Sequence, residues 1–210
     1  GIGIAGSNPA TPAIIIMNKE AIISLQDCTF SYLKIPILKD INLSVHSFDK
    51  IALIGKNGVG KSTLMEILSK ERTPGSGEIW FHPRISIEFL KQKNFFENSI
   101  TVYEYLSNEI KKKNINNLQF KDSKYKIDII CRKLKIEQNV NLTQLSGGVI
   151  RKVSLAKILL EEPNVLFLDE PTNHLDIESI EWLEKYLNED FKGAFIVVSH
   201  DRRFLSNVTN

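Results

Sequence analysis

The stretch from Ile51 to Leu64 reads Ile-Ala-Leu-Ile-Gly-Lys-Asn-Gly-Val-Gly-Lys-Ser-Thr-Leu. Its first four residues, Ile51 to Ile54, form an apolar run with the length of a buried parallel strand, and Gly55 to Ser62 fits G-x-x-x-x-G-K-[ST]. That combination predicts a phosphate-binding loop. Its glycines let the backbone turn tightly, so that successive N–H groups and the N-terminus of the following helix point at one anion. Lys61 then reaches the β- and γ-phosphates of a nucleotide, and the Ser62 hydroxyl sits on Mg²⁺.

Length and composition bound the rest. The 210 residues suffice for one α/β domain with a full core, and 42% hydrophobic with 25% charged residues are ordinary globular values. Cys28 and Cys131 both lie among apolar neighbours, which predicts buried thiols in a reduced, cytoplasmic protein. No apolar run approaches the roughly 20 residues that span a bilayer, so no direct membrane insertion is expected. Gly1 to Ala13 is small, Pro-containing and uncharged, without the basic start of a secretory signal, and residues 1–16 read as a flexible leader or a cloning remnant. Residues 17–210 then make up the domain. The net charge of +2 is unevenly spread: nine Lys or Arg against four acids lie between Glu109 and Glu137. The Lys- and Asn-rich part of that run, Lys111 to Lys126, is either a solvated linker or a contact for an RNA phosphate backbone.

Taken in order, Ile22 to Tyr32 and Ile41 to Val45 alternate apolar and polar residues on either side of Pro36, as two antiparallel strands do. Phe30 and Tyr32 on this hairpin either offer a π-face to an adenine ring or pack in a core. A helix from Thr63 to about Lys70 carries Leu64, Ile67 and Leu68 on one face, and Pro74 to Gly77 stops it. Strands are expected over Glu78 to Phe81 and Ile85 to Leu90, with Gln92 just beyond. Residues 94–142 read mainly helical. Leu145-Ser146-Gly147-Gly148 opens a helix whose exposed N–H groups form a second anion-receptive terminus, most simply used to close over a phosphate held by another copy of the domain. Val165 to Glu170 has the form of a buried strand ending in two carboxylates at the edge where α/β sheets bind ligands. Asp169 is placed to hold Mg²⁺ and Glu170 to orient or deprotonate the attacking water. Asp176 is placed to cap the next helix. The strand Ala194 to Val198 brings out His200, whose imidazole can hydrogen-bond a γ-phosphate.

These elements in this order resemble the ABC-type ATPase domain over about residues 22–207. The resemblance implies an α/β fold of the P-loop NTPase class, with a mixed or parallel core sheet, an antiparallel β-subdomain and a helical subdomain at about 94–160. It implies ATP and Mg²⁺ as ligands, with hydrolysis to ADP and phosphate. Carried over by position, it implies catalytic roles for Glu170, His200 and Lys61, and metal contacts from Ser62, Gln92 and Asp169. It assigns ATP contacts to Tyr32, Gly55, Asn57, Gly58, Gly60, Lys61, Ser62, Thr63, Gln92, Ser146, Gly147, Gly148 and Asp176. Within that superfamily, Glu170 to Asp176 (Glu-Pro-Thr-Asn-His-Leu-Asp), with Ser199-His200-Asp201-Arg202, is similar to the ABC-F branch, in its first nucleotide-binding domain and Uup-like group. That likeness implies a cytoplasmic protein that works with a second ABC domain, in the same chain or as a homodimer, and acts on ribosomes in translation or antibiotic resistance. The alternatives are the energy subunit of a membrane transporter, docking onto a transmembrane partner, and a DNA-transaction ATPase. Residue 149 is Val where the wider family has Gln, and the 52 residues at 93–144 leave room for a short helical arm. The chain stops ten residues past His200, before the strands that complete such domains, so a piece of a longer protein is expected.

Overall fold

The computed structural model of this chain describes residues 20–33, 35–91, 99–113 and 120–209. Strands β1 (Ala21–Tyr32) and β2 (Ile35–His46) pair antiparallel. The second strand thus starts six residues before the alternation at Ile41 announces it, and Pro36 lies inside it. Strand β2 is an edge of its sheet, where a residue without an N–H removes no interior ladder bond. Strand β3 (Lys50–Ala52) is shorter than the apolar run suggests, and helix α1 (Lys61–Leu68) follows the glycine loop. Strand β4 (Ser76–Phe81) returns to pair with β1, completing a three-stranded antiparallel sheet of order β2-β1-β4.

Strand β5 (Ile87–Leu90) leads on to helices α2 (Val102–Lys113), α3 (Phe120–Lys133) and α4 (Gly147–Leu160). Strand β6 (Val165–Asp169), helix α5 (Ile177–Lys185), strand β7 (Ala194–Val198) and helix α6 (Arg202–Val208) complete the described chain. The second sheet is parallel, with order β3-β7-β6-β5. Its two central strands, Val-Leu-Phe-Leu-Asp and Ala-Phe-Ile-Val-Val, are buried at every position, as parallel strands covered on both faces must be.

Alternation along those strands divides the interior in two. Leu166, Leu168, Phe195 and Val197 point into a core built with α2 to α6, whereas Val165, Phe167, Ala194, Ile196 and Val198 point into one built with α1 and the antiparallel sheet. Because all four strands run the same way, their C-terminal ends share one edge. The glycine loop leaves β3 there, Lys91 follows β5, Glu170 follows β6 and His200 follows β7. Among the described residues no helix is long and apolar enough to cross a membrane.

The two sheet strands β1 and β4 meet at one tight point. Gly77 has φ 89°, opposite an irregularity between Gln26 and Thr29, and a Cβ there would stand 2.5 Å from the Asp27 carbonyl oxygen and 2.6 Å from the Cys28 Cα. Backbone atoms cannot swing aside, and the left-handed conformation adds strain. Gly77→Ala should therefore lower the unfolding free energy by about 2–3 kcal/mol, read as a lower urea midpoint at unchanged m.

Candidate functional site

The loop after β3 reaches its shape through two left-handed glycines, Gly58 at φ 80° and Gly60 at φ 96°. A Cβ on Gly60 would lie 2.7 Å from Ile37 Cγ2 and 2.9 Å from a Leu38 methyl, so β2 packs against the loop where only glycine fits. Gly58 faces open space. Gly60 also serves as the N-cap of α1 without a side-chain bond, which leaves the first amides of α1 directed outward at the positive end of the helix dipole. The Lys61 ammonium crosses the loop and donates to the carbonyls of Gly55 (2.8 Å) and Lys56 (3.0 Å).

Opposite the loop stands the end of β6. Ser62 Oγ donates to Asp169 Oδ2 at 3.0 Å, and Asp169 is buried. Glu170 is buried too and adopts φ 49°, with its N–H donating to the Val198 carbonyl at 2.8 Å. Its carboxylate faces His200: the His200 backbone N–H donates to Oε2 at 3.2 Å, and the imidazole Nε2 lies 3.3 Å from Oε1. These groups line a cleft of about 590 Å³ together with Asn57, Gly58, Gly60, Thr63, Asn173, Val198 and Ile37.

Other expected residues stand elsewhere. Tyr32 is half exposed at the end of β1 and does not line the cleft. Its ring meets Phe30 edge to face at 5.2 Å, and the Arg72 guanidinium lies 5.0 Å from the Phe30 ring and 5.2 Å from the Tyr32 ring. Ser146 caps α4, its Oγ accepting from the Val149 amide at 3.5 Å, and Gly148 passes so close to the loop after β6 that a Cβ would be 3.0 Å from the His174 carbonyl oxygen. Ser146, Gly147, Gly148 and Asp176 are not among the residues that line this cleft. Gln92 lies outside the described residues, as do residues 1–16 and 114–119 of the basic run.

Two buried cations on α4 escaped the reading of the sequence. Arg151, 5% exposed, donates from Nη1 to the Lys91 carbonyl and from Nη2 to the carbonyls of Asp169 and Glu170, the last at 2.8 Å. Burial pulls its pKa down to about 10, opposed by the charges of Asp169 and Glu170, so it remains a cation at neutral pH. Lys152 pairs with Asp176, which also caps α5 by accepting from the Ser179 amide at 3.0 Å. The bond from Lys152 comes first among the causes that hold the Asp176 carboxyl far below the usual range, and the Ser179 bonds add to it. One signal was available: Arg151 lies on a stripe with Leu155 and Ile158, and an arginine on the inward face of a helix needs acceptors.

The model of the family described as ABC transporter matches residues 38–173. The chain is 40% identical over 187 residues to the ATP-binding protein Uup of Buchnera aphidicola subsp. Schizaphis graminum, covering 89% of this chain and 31% of that protein. It is 36% identical over 207 residues to the energy-dependent translational throttle protein EttA of Escherichia coli K12, covering 82% and 37%. Thus the chain spans about a third of the length of the curated relatives it matches. A solved ATP-binding subunit of an ABC transporter superposes with a TM-score of 0.79 at 22% identity, covering 89% of this chain and 82% of that one, a likeness of fold.

Asp176 offers a measurable separation of its two bonds. Asp176→Asn keeps a capping oxygen but loses the ion pair, and Asp176→Ala loses both, so stability should fall by about 1 and about 2 kcal/mol respectively in urea unfolding at pH 7. Because folding lowers this carboxyl's pKa, its contribution is full above the unfolded value of about 4 and is lost as pH falls further. The gap between wild type and the Asn variant should close on acidification.

Proposed function

Since the chain belongs to the ABC transporter family of ATP-binding domains, we propose that it binds ATP with Mg²⁺ and hydrolyses it by in-line attack of water on the γ-phosphate. The observation that carries this reading is the convergence of Lys61, Ser62, Asp169, Glu170 and His200, from three strand ends, on one cleft beside the glycine loop. The loop amides and Lys61 cradle the phosphates. A hydroxyl and a carboxylate oxygen 3.0 Å apart, Ser62 Oγ and Asp169 Oδ2, are hard donors of the kind Mg²⁺ takes, so these two residues fit the ion, with Gln92 as a third ligand. An Mg²⁺ ion held by these residues would supply positive charge against that developing on the phosphates. Glu170 accepts the proton of the attacking water, and His200, held against the same carboxylate, donates to a γ-phosphate oxygen. Tyr32 contributes its exposed ring to the adenine.

The site is composite in this reading. Ser146, Gly147 and Gly148, with the capped terminus of α4, and Asp176 stand clear of the cleft in their own domain, which leaves them to close over nucleotide held by a second ABC domain, in the same chain or in a second copy. Likeness to a translational throttle protein and the cationic run around α2 and α3 support a cytoplasmic, ribosome-associated factor that binds and releases its target with the ATP cycle.

Glu170→Gln should keep ATP affinity and lower turnover by about a hundredfold or more, accumulating an ATP-bound closed form in size-exclusion chromatography; unchanged steady-state turnover would remove Glu170 from its role. In the full product of the gene, the same variant should co-sediment with ribosomes in ATP and not in ADP at near-physiological salt. ATP binding without ribosome association in either nucleotide would turn the assignment toward a transporter partner or branched DNA.

A further inference from the structure

Glu170 is held in a conformation that its own chemistry does not favour. At φ 49° a residue with a Cβ sits in the strained left-handed region, and such residues persist only where their surroundings fix them. Asp169 is the last residue of β6 and Glu170 the first beyond it, where the turn brings the Asn173 N–H to the Glu170 carbonyl at 3.3 Å, and buried carbonyls need donors. Arg151 adds a side-chain donor to both carbonyls. One guanidinium nitrogen, Nη2, donates to both carbonyls, while Nη1 donates to the Lys91 carbonyl past the end of β5. The Val198 carbonyl takes the Glu170 N–H from the other side.

We infer that Arg151 is a positioning residue for Glu170. Its planar fork fixes the main chain on both sides of the Glu170 Cα, and the left-handed turn thereby keeps the carboxylate aimed at His200 and the cleft. Arg151 is not among the residues that line the cleft; it acts through the backbone of Glu170, which is. A lysine in its place offers one compact ammonium and cannot span the Lys91, Asp169 and Glu170 carbonyls in a fixed plane. Arg151 lies five residues after Ser146 on α4, so the same bonds also seat the helix that opens with Ser146-Gly147-Gly148 against the end of β6.

The inference rests on the ATPase reading above, and its test separates the two. Arg151→Gln, Arg151→Lys, Glu170→Gln and the Arg151→Gln/Glu170→Gln double variant are compared in the full product of the gene. The readouts are affinity for a fluorescent ATP analogue, kcat, KM and thermal unfolding. Arg151→Gln should bind nucleotide within twofold of wild type and lose about a hundredfold in kcat, or fall to the Glu170→Gln baseline if that is higher. Arg151→Lys should lie between. The double variant should turn over no more slowly than Glu170→Gln alone, because a base already removed cannot be misplaced. Wild-type kcat in Arg151→Gln overturns the inference, as does a double variant slowed by the full Arg151→Gln factor, or a loss of nucleotide affinity that matches the loss of kcat. If Arg151→Gln does not fold, Arg151→Lys decides, and wild-type kcat there overturns the inference. A wild-type protein that neither binds nor hydrolyses ATP overturns the ATPase reading, and this inference with it.

Discussion

The hydrogen bond from Ser62 to Asp169 joins residues 107 positions apart and makes the glycine loop and the end of β6 one unit. It can form only because β3 and β6 run in the same direction on either side of β7, so that their C-terminal ends arrive at one level of one sheet edge. A parallel sheet has that property whatever its side chains are. What this sequence adds is the content of the ends: a left-handed glycine turn on one strand, adjacent acids on another and a histidine on a third. The chemistry is thus concentrated on an edge where strand pairing stops and polar main-chain atoms need other partners.

Helix α4 meets much of that need. It is buried nearly all round, and its basic side chains are spent on specific acceptors rather than on solvent. Arg151 takes main-chain carbonyls at the ends of β5 and β6, and Lys152 takes Asp176 in the loop beyond. Lys157 sits between Glu88 of β5 and Glu161, each at 3.1 Å; burial works against its charge, but the two carboxylates more than compensate and hold its pKa at about 12. Charges buried this way are weak sources of net stability, since desolvation cancels much of the attraction, but removing one partner is costly. Their effect is to fix the angle and depth at which α4 rests on the sheet.

Much of this was legible in the residues because the strongest signals are short and local. Apolar runs of four and five, ended by acids and by Ser-His respectively, mark β6 and β7, and the glycine spacing marks the loop between β3 and α1. Where reading failed, the cause was a tertiary fact. Pro36 looks like a boundary unless β2 is known to be an edge strand, and with the start of β2 went Ile37, which packs against Gly60 and lines the cleft. Phe30 and Tyr32 could stack on a base or pack on neighbours, and alternation cannot tell these apart; the structure sets their rings against each other and Arg72 and leaves the Tyr32 ring half exposed, which is compatible with either use. Arg151 was missed because its acceptors are backbone carbonyls, which leave no mark on residue identity.

The strand order has a bearing on how the molecule comes into being. Among the described residues strand β3 has one neighbour in its sheet, β7, and Lys50 lies opposite Phe195. During synthesis the loop at residues 55–62 therefore leaves the ribosome long before the strand that will hold it in register has been made. Loop closure over so long a span is slow compared with local helix formation, and until it happens the apolar faces of β3 and α1 have only part of their cover. The phosphate loop is thus made well before Ala194–Val198, the strand against which it is positioned.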